Sequence, residues 1–292
     1  MTATAPAATR FTDHFATLAP RYDLLLCDIW GVVHNGVTAF APACEALVRF
    51  RDQGDRAVVL VTNAPRPHDS VKRQLDQLGV PEAAYDAIVT SGDITRDAIA
   101  ARPGQAVFHL GPERDRPVFK GFDIRYAPAG QADYVVCTGL FDDTTETPDD
   151  YRETLETMRA RGLTMVCANP DKVVARGDDL VYCAGALADL YREMGGEVRD
   201  AGKPHRPIYD AAFAKAAAQS GRQTPPERIL AIGDSVRTDL SGAHALGLDC
   251  LFIASGIHAE EIAGNGDAGV ALARTFAEAG MTPQATMHAL AW

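Results

Sequence analysis

The stretch Asp23-Leu24-Leu25-Leu26-Cys27-Asp28-Ile29-Trp30-Gly31 decides the fold of this chain. It is an apolar run that ends in an acid and a glycine, a pattern typical of a strand buried on both faces of a parallel sheet. Downstream, residues 42–53 have helical apolar spacing, residues 57–63 form a second buried strand, and residues 71–78 are helical again. This alternation predicts right-handed βαβ units and therefore an α/β fold with a parallel sheet.

The same alternation returns near the C-terminal end of the chain. It predicts a helix over 207–219, a strand over 228–233, a helix over 240–246 and a strand over 249–254. Residues 91–199 keep an α/β pattern, but different residues separate the predicted strands and helices. A short amphipathic helix is predicted over 11–19. We therefore predict a core made of residues 1–90 and 200–292, interrupted by an inserted α/β domain over 91–199.

Composition excludes several classes of protein. The chain has 292 residues and a formal net charge of −11, and no cluster of Lys and Arg could follow a nucleic-acid backbone. No apolar run reaches the length of about 18 residues that a membrane span needs, and the first residues do not resemble a secretion signal. The six cysteines form no CxxC pair, which favours buried thiols in a reducing cytoplasm.

Four segments carry reactive polar residues, and three of them follow predicted strands. They are Asp28, Thr62-Asn63, Gly202-Lys203-Pro204 and Gly233-Asp234-Ser235-Val236-Arg237-Thr238-Asp239. Ligands of open parallel sheets bind at the carboxyl ends of the strands. Carboxylates that hold a hard cation, a hydroxyl and amides for an anion, and a lysine to balance charge together favour phosphoryl chemistry with Mg²⁺.

These motifs, in this order, resemble the haloacid dehalogenase-like superfamily of aspartate-nucleophile hydrolases. The resemblance is to subclass IIA, which contains 4-nitrophenylphosphatase-like and sugar-phosphatase-like enzymes. The long interval from Asn63 to Lys203 stands where this subclass inserts its cap, and Ala168-Asn169-Pro170-Asp171 is similar to an element that closes the cap region. The resemblance implies a Rossmann-like parallel-sheet core with an inserted α/β cap domain.

The resemblance also implies a role for each motif residue. Asp28 would attack phosphorus to form an aspartyl-phosphate that water then hydrolyses. Mg²⁺ would be bound by Asp28, the backbone carbonyl of Trp30, Asp234 and Asp239. Thr62, Asn63 and Lys203 would bind the phosphoryl group, with Lys203 neutralising its developing charge. From the residues alone, Asp239 could instead cap a helix, Thr62 could be an ordinary strand end, and Lys203 could be a surface lysine.

One position departs from the family pattern. Phosphatases of this superfamily usually have a second aspartate two residues after the nucleophile, and this chain has Trp30 there. An indole is neither acid nor base at neutral pH, so general acid–base help, typically worth about 10²–10⁴-fold, is missing. We predict an Mg²⁺-dependent hydrolase of small phosphate monoesters with low or specialised activity, which either favours good leaving groups or recruits another group such as His34.

Two other functions stay open at this point. The chain could bind phosphorylated ligands without turning them over, or it could transfer the phosphoryl group to an acceptor other than water. The expected partner is a small phosphorylated metabolite, without nucleic acid or membrane, and a homodimer is left open. The segment Thr138-Gly139-Leu140-Phe141-Asp142-Asp143 is predicted either to set substrate choice or to be a solvated acidic turn. In the first case its acids would disfavour highly anionic substrates.

Overall fold

The computed structural model describes residues 8–176, 179–256 and 268–292. The chain forms two compact units. The first comprises Met1–Val61, Leu75–Ala87 and Ala211–Trp292, and the second comprises Thr62–Gln74 and Ile88–Asp210. The predicted insert, residues 91–199, falls within the second unit, which also takes in the segment that follows the second strand.

The regular elements alternate along most of the chain. The strands are β1 (Leu24–Cys27), β2 (Ala57–Thr62), β3 (Ala87–Thr90), β4 (Ala106–Leu110), β5 (Arg125–Tyr126), β6 (Tyr134–Cys137), β7 (Met165–Cys167), β8 (Val173–Arg176), β9 (Asp179–Tyr182), β10 (Val198–Asp200), β11 (Ile229–Gly233), β12 (Asp249–Ile253) and β13 (Ala285–Met287). The helices are α1 (Ala41–Arg51), α2 (His68–Leu78), α3 (Ser91–Ala100), α4 (Arg152–Ala160), α5 (Ala184–Glu193), α6 (Arg206–Ser220), α7 (Ser241–Leu246) and α8 (Ala268–Ala279).

Strand β1 lies inside a six-stranded sheet with the order β13-β12-β11-β1-β2-β3. It pairs in parallel with β11 on one side and with β2 on the other, so that Leu24 lies opposite both Ile229 and Ala57. All four residues of β1 are buried, which is why this strand is an uninterrupted apolar run. The predicted α/β fold with a parallel sheet is confirmed.

Local signals fix the ends of several helices. Thr90 accepts a hydrogen bond from the Asp93 N–H at 2.9 Å, and the Asp93 side chain accepts one from the Thr90 N–H, which together form a capping box at the start of α3. Helix α7 ends at Gly247, whose φ of +67° is in the left-handed region that favours glycine. These short-range signals set where α3 begins and where α7 ends.

The second unit has its own parallel sheet, with the order β10-β7-β6-β4-β5. Strand β4 pairs with β5 on one side and β6 on the other, and β6 pairs in turn with β7. Buried apolar side chains form two clusters, one including Val135, Leu155 and Leu187 and the other including Val107 and Val136. An antiparallel hairpin of β8 and β9 follows β7.

The N-terminal segment differs from its prediction. Residues 11–19 have helical apolar spacing, but the structure forms short 3₁₀ turns at Phe15–Thr17 and Ala19–Arg21 in place of an α-helix. Pro20 has no N–H to donate and so cannot continue an α-helical hydrogen-bond ladder. Within the residues that the structure describes, no helix is both long enough and apolar enough to cross a membrane.

Candidate active site

Two acids follow neighbouring strands of the six-stranded sheet. Asp28 comes directly after β1, and its N–H donates to the Ile232 carbonyl at 2.8 Å, which continues the pairing with β11 by one residue. Asp234 comes directly after β11. Because β1 and β11 are parallel neighbours, both carboxylates lie at the same edge of the sheet, and both are buried.

The third acid, Asp239, is placed by an unusual turn. Residues Val236–Leu240 form a single π-helical turn, in which the Leu240 N–H donates to the Ser235 carbonyl five residues earlier at 3.1 Å. The turn brings the Asp239 carboxylate back to accept a hydrogen bond from the Ser235 N–H at 3.2 Å. Single π-helical turns occur frequently at functional sites. Here the turn places Asp239 beside Asp234.

Three glycines make room for these carboxylates. A Cβ on Gly256 would lie 1.9 Å from Oδ2 of Asp234, and a Cβ on Gly31 would lie 2.1 Å from the same atom. A Cβ on Gly233 would lie 2.1 Å from Cγ of Asp239. Side-chain atoms at such distances would overlap the carboxylates, so the backbone passes the acids closely at all three positions.

The three acids form one compact oxygen cluster. One carboxylate oxygen from each of Asp28, Asp234 and Asp239 lies within 4.8 Å of the others, and all three residues are buried. Carboxylate oxygens are hard ligands of the kind that Mg²⁺ and Ca²⁺ prefer. Buried like charges repel one another strongly unless a cation compensates them. The donor set therefore fits a divalent cation, and the structure brings together all three acids that the sequence predicts as metal ligands.

Trp30 lies in a tight loop that follows β1. The Gly31 N–H donates to the His34 carbonyl at 2.8 Å, and the Gly36 N–H donates to Nδ1 of His34 at 2.9 Å. The indole packs edge-on against the His34 ring, with 5.0 Å between ring centroids, and a Cβ on Gly36 would lie 2.6 Å from the indole. The Trp30 side chain thus packs on its own loop, and His34, which is buried, accepts the Gly36 N–H through Nδ1. A catalytic role for His34 stays a prediction.

Thr62, Asn63 and Lys203 belong to the second unit. The Asn63 side chain accepts a hydrogen bond from the Lys203 N–H at 2.7 Å and donates one to the Lys203 carbonyl at 3.2 Å. Its amide nitrogen also donates to a carboxylate oxygen of Asp171 at 3.0 Å. The Asn63 amide therefore fixes the Lys203 backbone, whereas the sequence analysis expected a phosphate contact from this residue; a contact from its backbone N–H stays a prediction.

A glycine and a lysine complete this second group. A Cβ on Gly202 would lie 2.2 Å from the Asn63 amide oxygen, so only glycine lets the two segments approach so closely. Lys203 is 3% exposed, which contradicts the alternative of a solvated surface lysine. Thr62 is buried, and its Oγ1 accepts a hydrogen bond from the Ala64 N–H at 3.2 Å. Sequence reasoning missed the Asn63–Asp171 bond, although it singled out the segment that contains Asp171.

Comparison with known proteins identifies the family of this chain. Residues 25–125 match the family model for haloacid dehalogenase-like hydrolases, and residues 200–279 match a second HAD-hydrolase-like model. A solved haloacid dehalogenase-like hydrolase from Brucella suis 1330 is 50% identical to this chain, with a TM-score of 0.86 over 96% of this chain and 100% of that one. The chain belongs to the haloacid dehalogenase-like hydrolase family. The family predicted from the four motifs is confirmed.

Two further proteins similar to this chain have named activities. The D-glycerol 3-phosphate phosphatase of Mycobacterium tuberculosis is 28% identical over 247 residues, which are 83% of this chain and 65% of that protein. The match thus spans slightly less than two thirds of the length of that relative. A solved glycerol phosphate phosphatase from the same organism, in complex with magnesium, is 28% identical with a TM-score of 0.59, covering 82% of this chain and 70% of that one.

Proposed function

We propose that this protein is an Mg²⁺-dependent phosphatase that hydrolyses small, sugar-phosphate-like monoesters through an aspartyl-phosphate on Asp28. The convergence of three buried carboxylates within 4.8 Å is the observation that supports this most. Family membership and a relative that hydrolyses glycerol 3-phosphate support the same class of substrate. The six buried free thiols fit a reducing compartment such as the cytoplasm.

In the proposed reaction, a carboxylate oxygen of Asp28 forms a bond to phosphorus while the bond from phosphorus to the ester oxygen breaks. Water then attacks the same phosphorus, which releases phosphate and restores the Asp28 carboxylate. A divalent cation held by Asp28, Asp234 and Asp239 supplies positive charge against the anions that must meet. Asn63 orients the backbone of Lys203, and the ammonium group of Lys203 neutralises charge that develops on the phosphoryl oxygens.

Trp30 gives this mechanism a testable signature. Because an indole supplies no proton and accepts none, neither the leaving alcohol nor the attacking water receives help at that position. An ester with a good leaving group, such as 4-nitrophenyl phosphate, should form the aspartyl-phosphate rapidly and then hydrolyse it slowly. We expect a burst of 4-nitrophenol of about one equivalent per site, followed by a slower steady state.

The experiment measures product release from 4-nitrophenyl phosphate and from alkyl phosphates, with Mg²⁺ or with EDTA, for the wild type, Asp28→Asn and Trp30→Asp. Asp28→Asn and EDTA should abolish phosphate release. Trp30→Asp should remove the burst and raise steady-state turnover by about 10²-fold or more. Phosphate release that survives Asp28→Asn would refute the nucleophile assignment.

The packed indole also favours a second candidate function, a protein that binds phosphorylated ligands without turnover. Trp30 is half-buried and packs against Gly36 and His34. Calorimetric titration of glycerol 3-phosphate into the Mg²⁺-loaded protein would support this candidate if the ester binds and no phosphate is released over hours. Turnover of any ester in the panel would exclude it.

A further inference from the structure

The N-terminal segment, residues 9–15, lies along the C-terminal segment, residues 285–292. Strand β13 is at one end of the six-stranded sheet, and Phe11 pairs in parallel with Thr286 of this strand. The Thr12 N–H donates to the Thr286 carbonyl at 2.8 Å, and the Phe15 N–H donates to the Ala291 carbonyl at 2.8 Å. The N-terminal segment therefore occupies the sheet edge at β13, where backbone groups need partners.

Aromatic contacts hold the two segments together. The Phe15 side chain is fully buried and packs against Phe50 of α1 and against Trp292, with 5.9 Å between ring centroids in each pair. Closer to the surface, the Phe11 ring stacks on the His288 ring, with centroids 3.9 Å apart and planes 2° from parallel. Phe11 is half-buried and His288 is exposed, so this stack joins the two segments without forming part of the core.

The C-terminal segment in turn holds the loop that follows β12. Beyond the pairing of β12 with β13, the Ser255 N–H donates to the His288 carbonyl at 2.8 Å. The next residue is Gly256, where an added Cβ would lie 1.9 Å from Oδ2 of Asp234. The residue that carries the stacked imidazole is thus hydrogen-bonded to the neighbour of the glycine that contacts Asp234.

A cavity of about 490 Å³ borders the same loop. Its lining includes Ser255, Gly31, Leu290 and the first residues of α1. Gly31 is a second residue whose added Cβ would lie close to Oδ2 of Asp234. Atoms beside a cavity lose the contacts that packing supplies, so within the described residues the loops that carry Gly31 and Ser255 lack packing on their cavity side. The position of Ser255 therefore depends more heavily on its hydrogen bond to His288.

We propose that Phe11 and His288 are positioning residues for the metal site. By fastening the C-terminal segment, their stack holds Ser255 and Gly256 in place against Asp234, and so sets the affinity of the three-acid cluster for a divalent cation. Mg²⁺ needs near-ideal ligand geometry, which makes its affinity sensitive to small displacements of a carboxylate. This inference rests on the proposed function, from which it takes the presence of a cation at the acid cluster.

The test measures the Kd of Mn²⁺, a cation that takes the same oxygen ligands, from the electron paramagnetic resonance signal of free Mn²⁺. Phe11→Ala and His288→Ala should each raise this Kd about three- to tenfold, which corresponds to the loss of one aromatic pair. Phe11→Tyr keeps a ring at this position and should bind Mn²⁺ as the wild type does. The double variant should bind no more weakly than either single variant, because both changes remove the same contact.

Matched variants separate positioning from a general loss of stability. Phe122→Ala removes another half-buried ring, which packs on the guanidinium of Arg96 in the second unit, and should leave the Kd of Mn²⁺ unchanged. Asp86→Ala removes a carboxylate that accepts two hydrogen bonds within the first unit, and should lower stability without changing the Kd. A wild-type Kd in both folded stack variants, or an equal rise of the Kd in Asp86→Ala, would overturn the proposal.

A measurement on the wild type tests the same coupling without a substitution. Coupling between two parts of a protein is reciprocal, so a contact that favours cation binding is itself favoured by the bound cation. Saturating Mn²⁺ should slow the amide hydrogen exchange of Thr12 and Phe15, which donate to the C-terminal segment, by about three- to tenfold. Exchange that is unchanged by Mn²⁺ would overturn the proposal.

Failure of the proposed function gives a different pattern of results. A wild type that binds Mn²⁺ but releases no phosphate from any ester refutes the phosphatase, and the comparison of Kd values still decides whether the stack positions the metal site. A wild type that releases phosphate, with a Kd of Mn²⁺ that the stack variants leave unchanged, refutes this inference alone. A wild type that binds no Mn²⁺ would overturn it as well, because there would be no metal site to position.

Discussion

Replacement of Gly256 by alanine should disable the acid cluster without removing any of its acids. The added Cβ would lie 1.9 Å from Oδ2 of Asp234 and 2.4 Å from its Cγ. Ordinary contacts between such atoms are about 3.5 Å, so the carboxylate or the loop must move by more than about 1 Å. Mg²⁺ requires oxygen ligands at about 2.0–2.1 Å in near-ideal geometry, and a displacement of that size removes Asp234 as a ligand.

The predicted size of the effect follows from that displacement. A misplacement of about 1 Å at a reacting centre commonly costs about 10²-fold in rate. We expect Gly256→Ala to lower kcat for phosphate release by about this factor and to raise the Mg²⁺ concentration needed for half-maximal activity. The assay is a magnesium titration of steady-state phosphate release, accompanied by thermal denaturation to show that the variant is folded.

A matched glycine controls for the loss of backbone freedom. A Cβ on Gly130 would have nothing within 4 Å, so Gly130→Ala makes the same chemical change in open space. It should leave both kcat and the magnesium dependence unaltered. The reasoning is refuted if a folded Gly256→Ala responds to magnesium as the wild type does.

Three further predictions concern other groups. Asn63→Ala removes the side chain that is hydrogen-bonded to both the N–H and the carbonyl of Lys203. It should lower kcat/KM about tenfold or more and leave the magnesium dependence in the same titration unchanged, whereas a kcat/KM equal to that of the wild type would contradict this prediction. Asp115→Asn removes a carboxyl whose pKa burial raises from 3.8 to about 6. The protonated carboxyl of the wild type stabilises the fold fully below about pH 4, and this contribution is lost as the pH rises through about 6. The free energy of unfolding of the variant should therefore rise by about 1 kcal/mol relative to that of the wild type between pH 5 and 7 in urea denaturation. A pH-independent difference would count against this. Asp86→Ala removes the carboxylate that accepts hydrogen bonds from Nε of Arg51 at 2.9 Å and from the Val58 N–H at 2.8 Å, and should cost about 2–4 kcal/mol of unfolding free energy, whereas a loss below about 0.5 kcal/mol would show that water replaces both bonds.

Long apolar runs made the central sheet predictable. Strands β1 and β2 are buried on both faces, so their composition differs sharply from that of their neighbours. Helices with clear apolar spacing, such as α6, were predicted to within a residue or so at each end. Both residues of β5 and three of the four residues of β9 are exposed, so no buried apolar run marked either strand in the sequence.

The candidate site was predictable as a set of residues but not as a geometry. Asp28 and Asp234 could be recognised in the sequence because each directly follows a buried strand. The π-helical turn that returns Asp239 to this edge, and the close approach of Gly256, arise from contacts between distant segments. The pairing of Asp143 with Arg114 and Arg176 likewise joins residues about 30 apart in sequence, so the sequence could not show that these arginines offset the charge of Asp143.

Trp30 bears on the rate of the proposed reaction more than on the existence of the site. Three carboxylates buried within 4.8 Å of one another oppose folding, because each loses hydration and repels the other two. Apolar side chains of similar volume would pack as well at these positions without the cost of burying charge. Their positions are fixed by strand ends, a π-helical turn and closely approaching glycines. The chain therefore retains a costly cluster that a bound cation would compensate, and the absence of an acid at position 30 limits proton transfer without removing the reason for that cluster.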